Sequence, residues 1–218
     1  MKKHRLFNFK NIPMDIARLV CSVFLLLLRV KRLTPEGTKY KKMVRGGAIV
    51  AANHTSFMDP FSVGVTFWYR RMYMLVAEVV MRNKLLTFLI KGVGGIKIDR
   101  NCADIDSINK SIDKLKKEYL LTIFPQGGID REDEIDSIKS GAVLMAFRAG
   151  VPIIPMHIIP RKHWFSRQVV IIGETINPKD FSTKKLPSTT DIKTVTNVLM
   201  NELNRCKASI NINLGGQQ

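Results

Sequence analysis

The chain is poor in acids: 18 Asp+Glu stand against 35 Lys+Arg over 218 residues, leaving a formal net charge of +17. Cysteine is scarce as well, with Cys21, Cys102 and Cys206 far apart and in no metal-ligand spacing. This excludes a disulfide framework or a zinc finger and suits a reducing compartment. With 14 Gly, 9 Pro and 45% hydrophobic residues, collagen-like, low-complexity and disordered chains are excluded too. There is no Gly-x-Ser-x-Gly elbow to supply a hydrolase nucleophile. Nor is there a long apolar run. The strongest, residues 19–28, amounts to about 15 Å of helix where a membrane span needs roughly 20 residues.

What is there is enough for one sizeable core, since a chain of this size buries roughly 70% of its unfolded surface. The charge is uneven. Residues 1–45 carry 12 Lys/Arg against Asp15 and Glu36, a net of +10, and the rest of the chain carries +7. From Asn11 as a cap, Ile12, Ile16, Leu19, Val20, Val23, Phe24, Leu27 and Val30 recur at helical spacing, with Asp15, Arg18, Ser22 and Arg29 opposite. An apolar face with cations at both ends predicts an amphipathic helix lying in an anionic membrane surface, each basic residue contributing about 1 kcal/mol. The alternative is a core helix with a solvated basic rim. The run ends in Arg29-Val-Lys-Arg32 rather than at a small-residue cleavage site, which disfavours a signal peptide.

Beyond residue 45, short apolar runs alternate with helical patterns. The expected strands are 48–52, 72–77, 95–99, 120–124, 153–158 and 168–173, and the expected helices 60–69, 81–91, 103–118, 140–149 and 191–207. Repeated strand–loop–helix order predicts a single α/β domain over residues 46–212. Its sheet is mixed and largely parallel, flanked by helices, with functional loops at the strands' carboxyl ends. Residues 1–45 form the membrane-associating segment and residues 213–218 a flexible tail.

Four clusters could carry chemistry. The first, Asn53-His54-Thr55-Ser56-Phe57-Met58-Asp59-Pro60, follows a strand and leads into a helix, with Asp59 expected as N-cap. A turn can bring Asp59 onto the His54 ring, where a carboxylate on one nitrogen fixes the tautomer and leaves the other free to take a proton from a hydroxyl. Asp59 could equally do no more than cap a helix. The second, Gly94-Gly95-Ile96-Lys97-Ile98-Asp99-Arg100, ends in an arginine able to grip a phosphate, although a strand-end arginine usually pairs with a surface carboxylate. The third, Phe124-Pro125-Gln126-Gly127-Gly128-Ile129-Asp130-Arg131, is a tight loop whose backbone N–H groups could meet an anion. The fourth, Gly150-Val151-Pro152-Ile153-Ile154-Pro155, reads as shape rather than chemistry.

In this order the clusters resemble the 1-acylglycerol-3-phosphate acyltransferase family of glycerolipid acyltransferases. That family shows Asn-His-x4-Asp, Gly-x-Ile-x-Ile-Asp-Arg, Phe-Pro-Glu-Gly-Thr-Arg-Ser and Val-Pro-Ile-Ile-Pro. Asn53, His54, Asp59 and Pro60 match the first block; Gly95, Ile96, Ile98, Asp99 and Arg100 the second; Val151 to Pro155 the fourth. Lys139-Ser140-Gly141 is similar to the basic-x-Gly lead-in of the fourth. The third block departs: Gln126 stands in the glutamate's place, Gly128-Ile129-Asp130 replace Thr-Arg-Ser, and Arg131 aligns with a basic residue found further on.

The resemblance implies transfer of a fatty acyl group from acyl carrier protein or coenzyme A to the sn-2 hydroxyl of a lysophospholipid, 1-acyl-glycerol-3-phosphate, giving phosphatidic acid. His54 is then the general base and Asp59 its orienting partner. Lys97 and Arg100 grip the phosphate, and Gln126, Gly127, Gly128 and Arg131 form the acceptor and oxyanion loop. No metal or other cofactor is required. A headgroup-bearing lysophospholipid, in lipid remodelling, is the alternative acceptor. The expected location is the cytoplasmic face of a membrane, peripheral or monotopic. Nucleic acid is disfavoured as a partner, because the cations gather beside an apolar helix and no nucleic-acid-binding motif occurs.

Overall fold

The computed structural model describes residues 12–28, 30–99, 104–128, 137–161, 166–182 and 187–214. Seven strands, β1 (Lys31–Leu33), β2 (Ala48–Ala52), β3 (Met72–Ala77), β4 (Gly95–Ile98), β5 (Leu120–Ile123), β6 (Ile153–Ile158) and β7 (Val169–Ile172), form one sheet in the order β1-β7-β6-β2-β5-β3-β4. Every pairing is parallel except that of β6 with β7. The central strands are largely apolar, with Thr122 and His157 as buried exceptions, because a parallel sheet is covered on both faces. In β2, Ile49 and Ala51 point into one core cluster while Ala48, Val50 and Ala52 point into the other.

Helices α4 (Ile105–Lys116), α5 (Gly141–Ala149) and α6 (Thr189–Leu214) cover the first face through Leu115, Val143, Met145, Leu199 and Leu203. On the second face lies α2 (Asp59–Thr66), with Val63 and the following Phe67 buried. Helix α1 (Ile12–Leu28) packs on α2. It is tied to the start of β3 by a two-pronged pair, Arg71 Nε to Asp15 Oδ1 at 2.9 Å and Arg71 to Asp15 Oδ2 at 2.8 Å. None of the described helices is long and apolar enough to cross a membrane.

All six expected strands are present, but the boundary expected at residue 46 falls inside the folded unit. Lys31, Arg32 and Leu33 pair with Val169, Val170 and Ile171, and Leu33 and Tyr40 are buried. Two charges in three residues hid β1, which lies at the edge of the sheet, from any apolar pattern. Helix α6 runs to Leu214, two residues into the expected tail. The helix expected at 81–91 divides into a single 3-10 turn (Glu78–Met81) and α3 (Lys84–Gly92). Asn83 sets the new start, its side-chain oxygen accepting from the amides of Leu85 and Leu86.

The paired glycines of the second cluster serve the chain's own turn. Gly94 has φ +97°, and a Cβ there would lie 2.5 Å from the Met72 carbonyl oxygen.

Candidate active site

The site is assembled where β2, β5 and β6 end side by side. Just past β2, the Asn53 amide is buried and reads both backbone groups of Ile158 on β6: Nδ2 donates to the carbonyl at 3.1 Å, and Oδ1 accepts from the N–H at 2.7 Å. This buckle fixes the point from which the next residue departs.

His54 and Asp59 come together, both buried, at 8% and 4% exposure. His54 Nδ1 lies 3.0 Å from Asp59 Oδ2. The same oxygen accepts from the amides of Thr55 and Ser56, each at 2.7 Å. Contrary to the expectation, Asp59 does not cap α2. Met58 holds the cap position, Asp59 opens the helix, and its carboxylate turns back to brace the loop. An acceptor-only carboxylate at Nδ1 puts the ring proton there and leaves Nε2 as the basic nitrogen.

The third cluster supports the first. The Phe124 ring stacks on His54 with centroids 4.1 Å apart and planes 19° from parallel. Gln126 Oε1 accepts the His54 backbone N–H at 3.1 Å. An amide oxygen meets that need as a carboxylate oxygen would, so the exchange of glutamate for Gln126 preserves the contact.

Gly127 departs from its expected oxyanion role: its N–H donates to Phe124 O at 3.1 Å within the turn. Gly128 has no atom within 4 Å of where a Cβ would lie. Lys97 sits on β4 and pairs with Glu78 at 2.6 Å, both side chains half exposed. That contact raises the Lys97 pKa, the hydrogen bond that Lys97 donates to Glu78 being the largest cause. Arg100 and Arg131 lie outside the described residues.

A cation that the sequence left without a role stands beside this loop. A Cβ on Gly127 would be 3.0 Å from Lys139 Cε and 3.3 Å from its Nζ. Lys139 is tied to the loop by its own N–H, which donates to Pro125 O at 2.8 Å. The signal was the basic-x-Gly lead-in to α5.

Beside His54 opens a cavity of about 650 Å³, walled by Phe57, Phe61, Met72, Met74, Leu75 and Phe124 with Met14 and Ala17 of α1. Its size falls in the range of ligand sites, and its lining suits an aliphatic chain rather than a polar one. Among the described residues no cluster of three or more His, Cys, Asp or Glu could hold a metal ion.

A buried imidazole–carboxylate pair at the carboxyl edge of a mainly parallel sheet, with an apolar cavity alongside, can take a proton from a hydroxyl next to a bound apolar group. A family model described as Acyltransferase matches residues 32–159, and the chain belongs to that family and is an acyltransferase. It is similar to the 1-acyl-sn-glycerol-3-phosphate acyltransferase of Bacillus subtilis, at 27% identity over 70% of this chain and 77% of that protein. The enzyme of the same name from Streptococcus pneumoniae is 28% identical over 72% of this chain and 59% of its own length. In fold it is similar to the 1-acyl-sn-glycerophosphate (LPA) acyltransferase PlsC of Thermotoga maritima. The TM-score is 0.62 at 21% identity, over 91% of this chain and 81% of that one.

Proposed function

We propose that the chain transfers a fatty acyl group from an acyl thioester, of acyl carrier protein or coenzyme A, to the sn-2 hydroxyl of 1-acyl-glycerol-3-phosphate. The reading is carried by the His54–Asp59 pair at the wall of the apolar cavity, and the names of the two bacterial relatives support the acceptor.

His54 Nε2 removes the acceptor's hydroxyl proton as that oxygen attacks the thioester carbonyl carbon. The tetrahedral oxyanion collapses, the C–S bond breaks, and the thiolate leaves with the proton returned by the imidazolium. Asp59 stays ionised and stabilises the imidazolium throughout. The acyl chain occupies the cavity. The acceptor's phosphate meets Lys139 beside the third-cluster loop and Arg100, while Lys97 contributes only when Glu78 releases it. With Gly127 turned inward, the oxyanion is left to Gly128 or a cation.

The enzyme works at an anionic membrane surface, on its cytoplasmic face, held by α1, whose Ile12, Ile16, Leu19 and Val23 form an exposed apolar stripe. The Gln126 oxygen is committed to the His54 amide, so the exchange of glutamate for glutamine has a structural reading that does not require a change of acceptor. The test is an acceptor panel with one thioester donor, following thiol release. Lysophosphatidic acid should be the fastest acceptor; a headgroup-bearing lysolipid turning over faster would replace this reading with the remodelling one.

A further inference from the structure

We propose that α3 and the turn before it form a second membrane contact, separate from α1, which seats the mouth of the cavity in an anionic lipid surface. The proposal rests on the lipid-acyltransferase reading and adds to it the element that meets the lipid. Leu85 and Phe88 on α3 are 69% and 74% exposed, and Val79 in the preceding turn is 61% exposed. A short helix facing water should place polar residues there; a contiguous apolar rim marks an interaction surface.

The rim is continuous with the cavity. Val79 and Val93 are exposed and also line it, as does Val20 of α1 across the opening. The two helices meet below, where a Cβ on Gly92 would lie 3.5 Å from Pro13 Cβ. A lipid reaching the cavity through this mouth never crosses water.

Charge selects the occupant. Residues 79–94 contain Arg82, Lys84 and Lys91 and no acid. None of the three is paired with a carboxylate among the described residues, while the nearest acid, Glu78, is held by Lys97. Unpaired cations flanking leucine and phenylalanine match acidic headgroups above acyl chains. A second copy of this chain would bring the same three cations to the same face and be repelled.

The test uses the full chain and needs no turnover, so it stands or fails apart from the acceptor panel. Phe88→Trp is mixed with phosphatidylcholine vesicles, with and without phosphatidic acid, containing lipids brominated in the upper acyl chain. The emission it adds over that of Trp68 and Trp164 should be quenched on the acidic vesicles. Leu85→Glu with Phe88→Glu should weaken vesicle binding about tenfold or more. Unquenched added emission overturns the proposal, as does a double variant that binds as the parent does. Dimerisation in solution that the double variant abolishes also overturns it, assigning the face to a second copy.

Discussion

The loop after β2 and the rim carried by α3 lie on either side of one cavity and are built to opposite rules. In the loop almost every polar group is used internally: Asn53 on Ile158, His54 on Asp59 and Gln126, and the Thr55 and Ser56 amides on Asp59. On the rim, three cations form no ion pair among the described residues, and Leu85 and Phe88 stand exposed. Proton transfer needs groups held within tenths of an ångström, so the protein consumes its own hydrogen bonds to hold them. Attachment to a fluid surface needs no such precision, and charges left unpaired are what make it possible.

The comparison breaks most plainly if the loop proves tolerant. His54→Ala should lower kcat by about a thousandfold, within the range for a positioned general base, as measured by thiol release with saturating acceptor. Turnover near the parent rate would remove His54 from the chemistry. Asp59→Asn keeps an oxygen for the two amides but loses the charge that stabilises the imidazolium, and should cost about a hundredfold in kcat with little change in KM. An effect confined to KM would make Asp59 a substrate ligand instead.

Gln126 sharpens the contrast. Gln126→Leu deprives the buried His54 N–H of its acceptor and should lower kcat about tenfold through lost positioning. Gln126→Glu, which restores an acceptor oxygen, should recover most of that loss, and equal damage by both variants would point to a direct role with substrate. The smallest effect lies on the rim side, at Asp104, which accepts from the amides of Asp99 and Ser107 and so joins the end of β4 to the start of α4. Asp104→Ala should cost about 1 kcal/mol in thermal unfolding. Hydrogen bonding, chiefly from Ser107, lowers the Asp104 pKa in the folded state. Its contribution is therefore present above the unfolded carboxylate value and fades as pH falls through the folded one. Parent and Asp104→Ala should accordingly converge in melting temperature on acidification.

The buried strands could be read in the sequence because a parallel sheet covered on both faces leaves apolar runs no competing explanation. The His54–Asp59 pairing could be read because the four residues between them suffice for a turn that closes it. What escaped depends on partners far along the chain. No local pattern says that Gln126 reaches back across 72 positions to the His54 amide, or that Asn53 spans 105 to Ile158. Composition shows that the turn at Gly127 has a spare-looking N–H but not that the turn's own Phe124 carbonyl takes it. The neighbours of Lys97 in sequence point to a phosphate, while its partner in space, Glu78, sits at the end of the adjoining strand.

The pairing of β1 with β7 sets a schedule for the chain's synthesis. Lys31 meets Val169, so apart from its local bridge to Lys39 the first strand waits for well over half the protein before β7, its neighbour in the sheet, exists. Helix α1 emerges earlier still, with its apolar stripe uncovered. The Asp15–Arg71 pair becomes available as soon as β3 begins, roughly a hundred residues before β7, and can dock α1 against the growing sheet in the interval. On this view the pair guards the nascent chain against premature association, and its loss would be felt in the yield of folded protein before it was felt in the stability of the finished one.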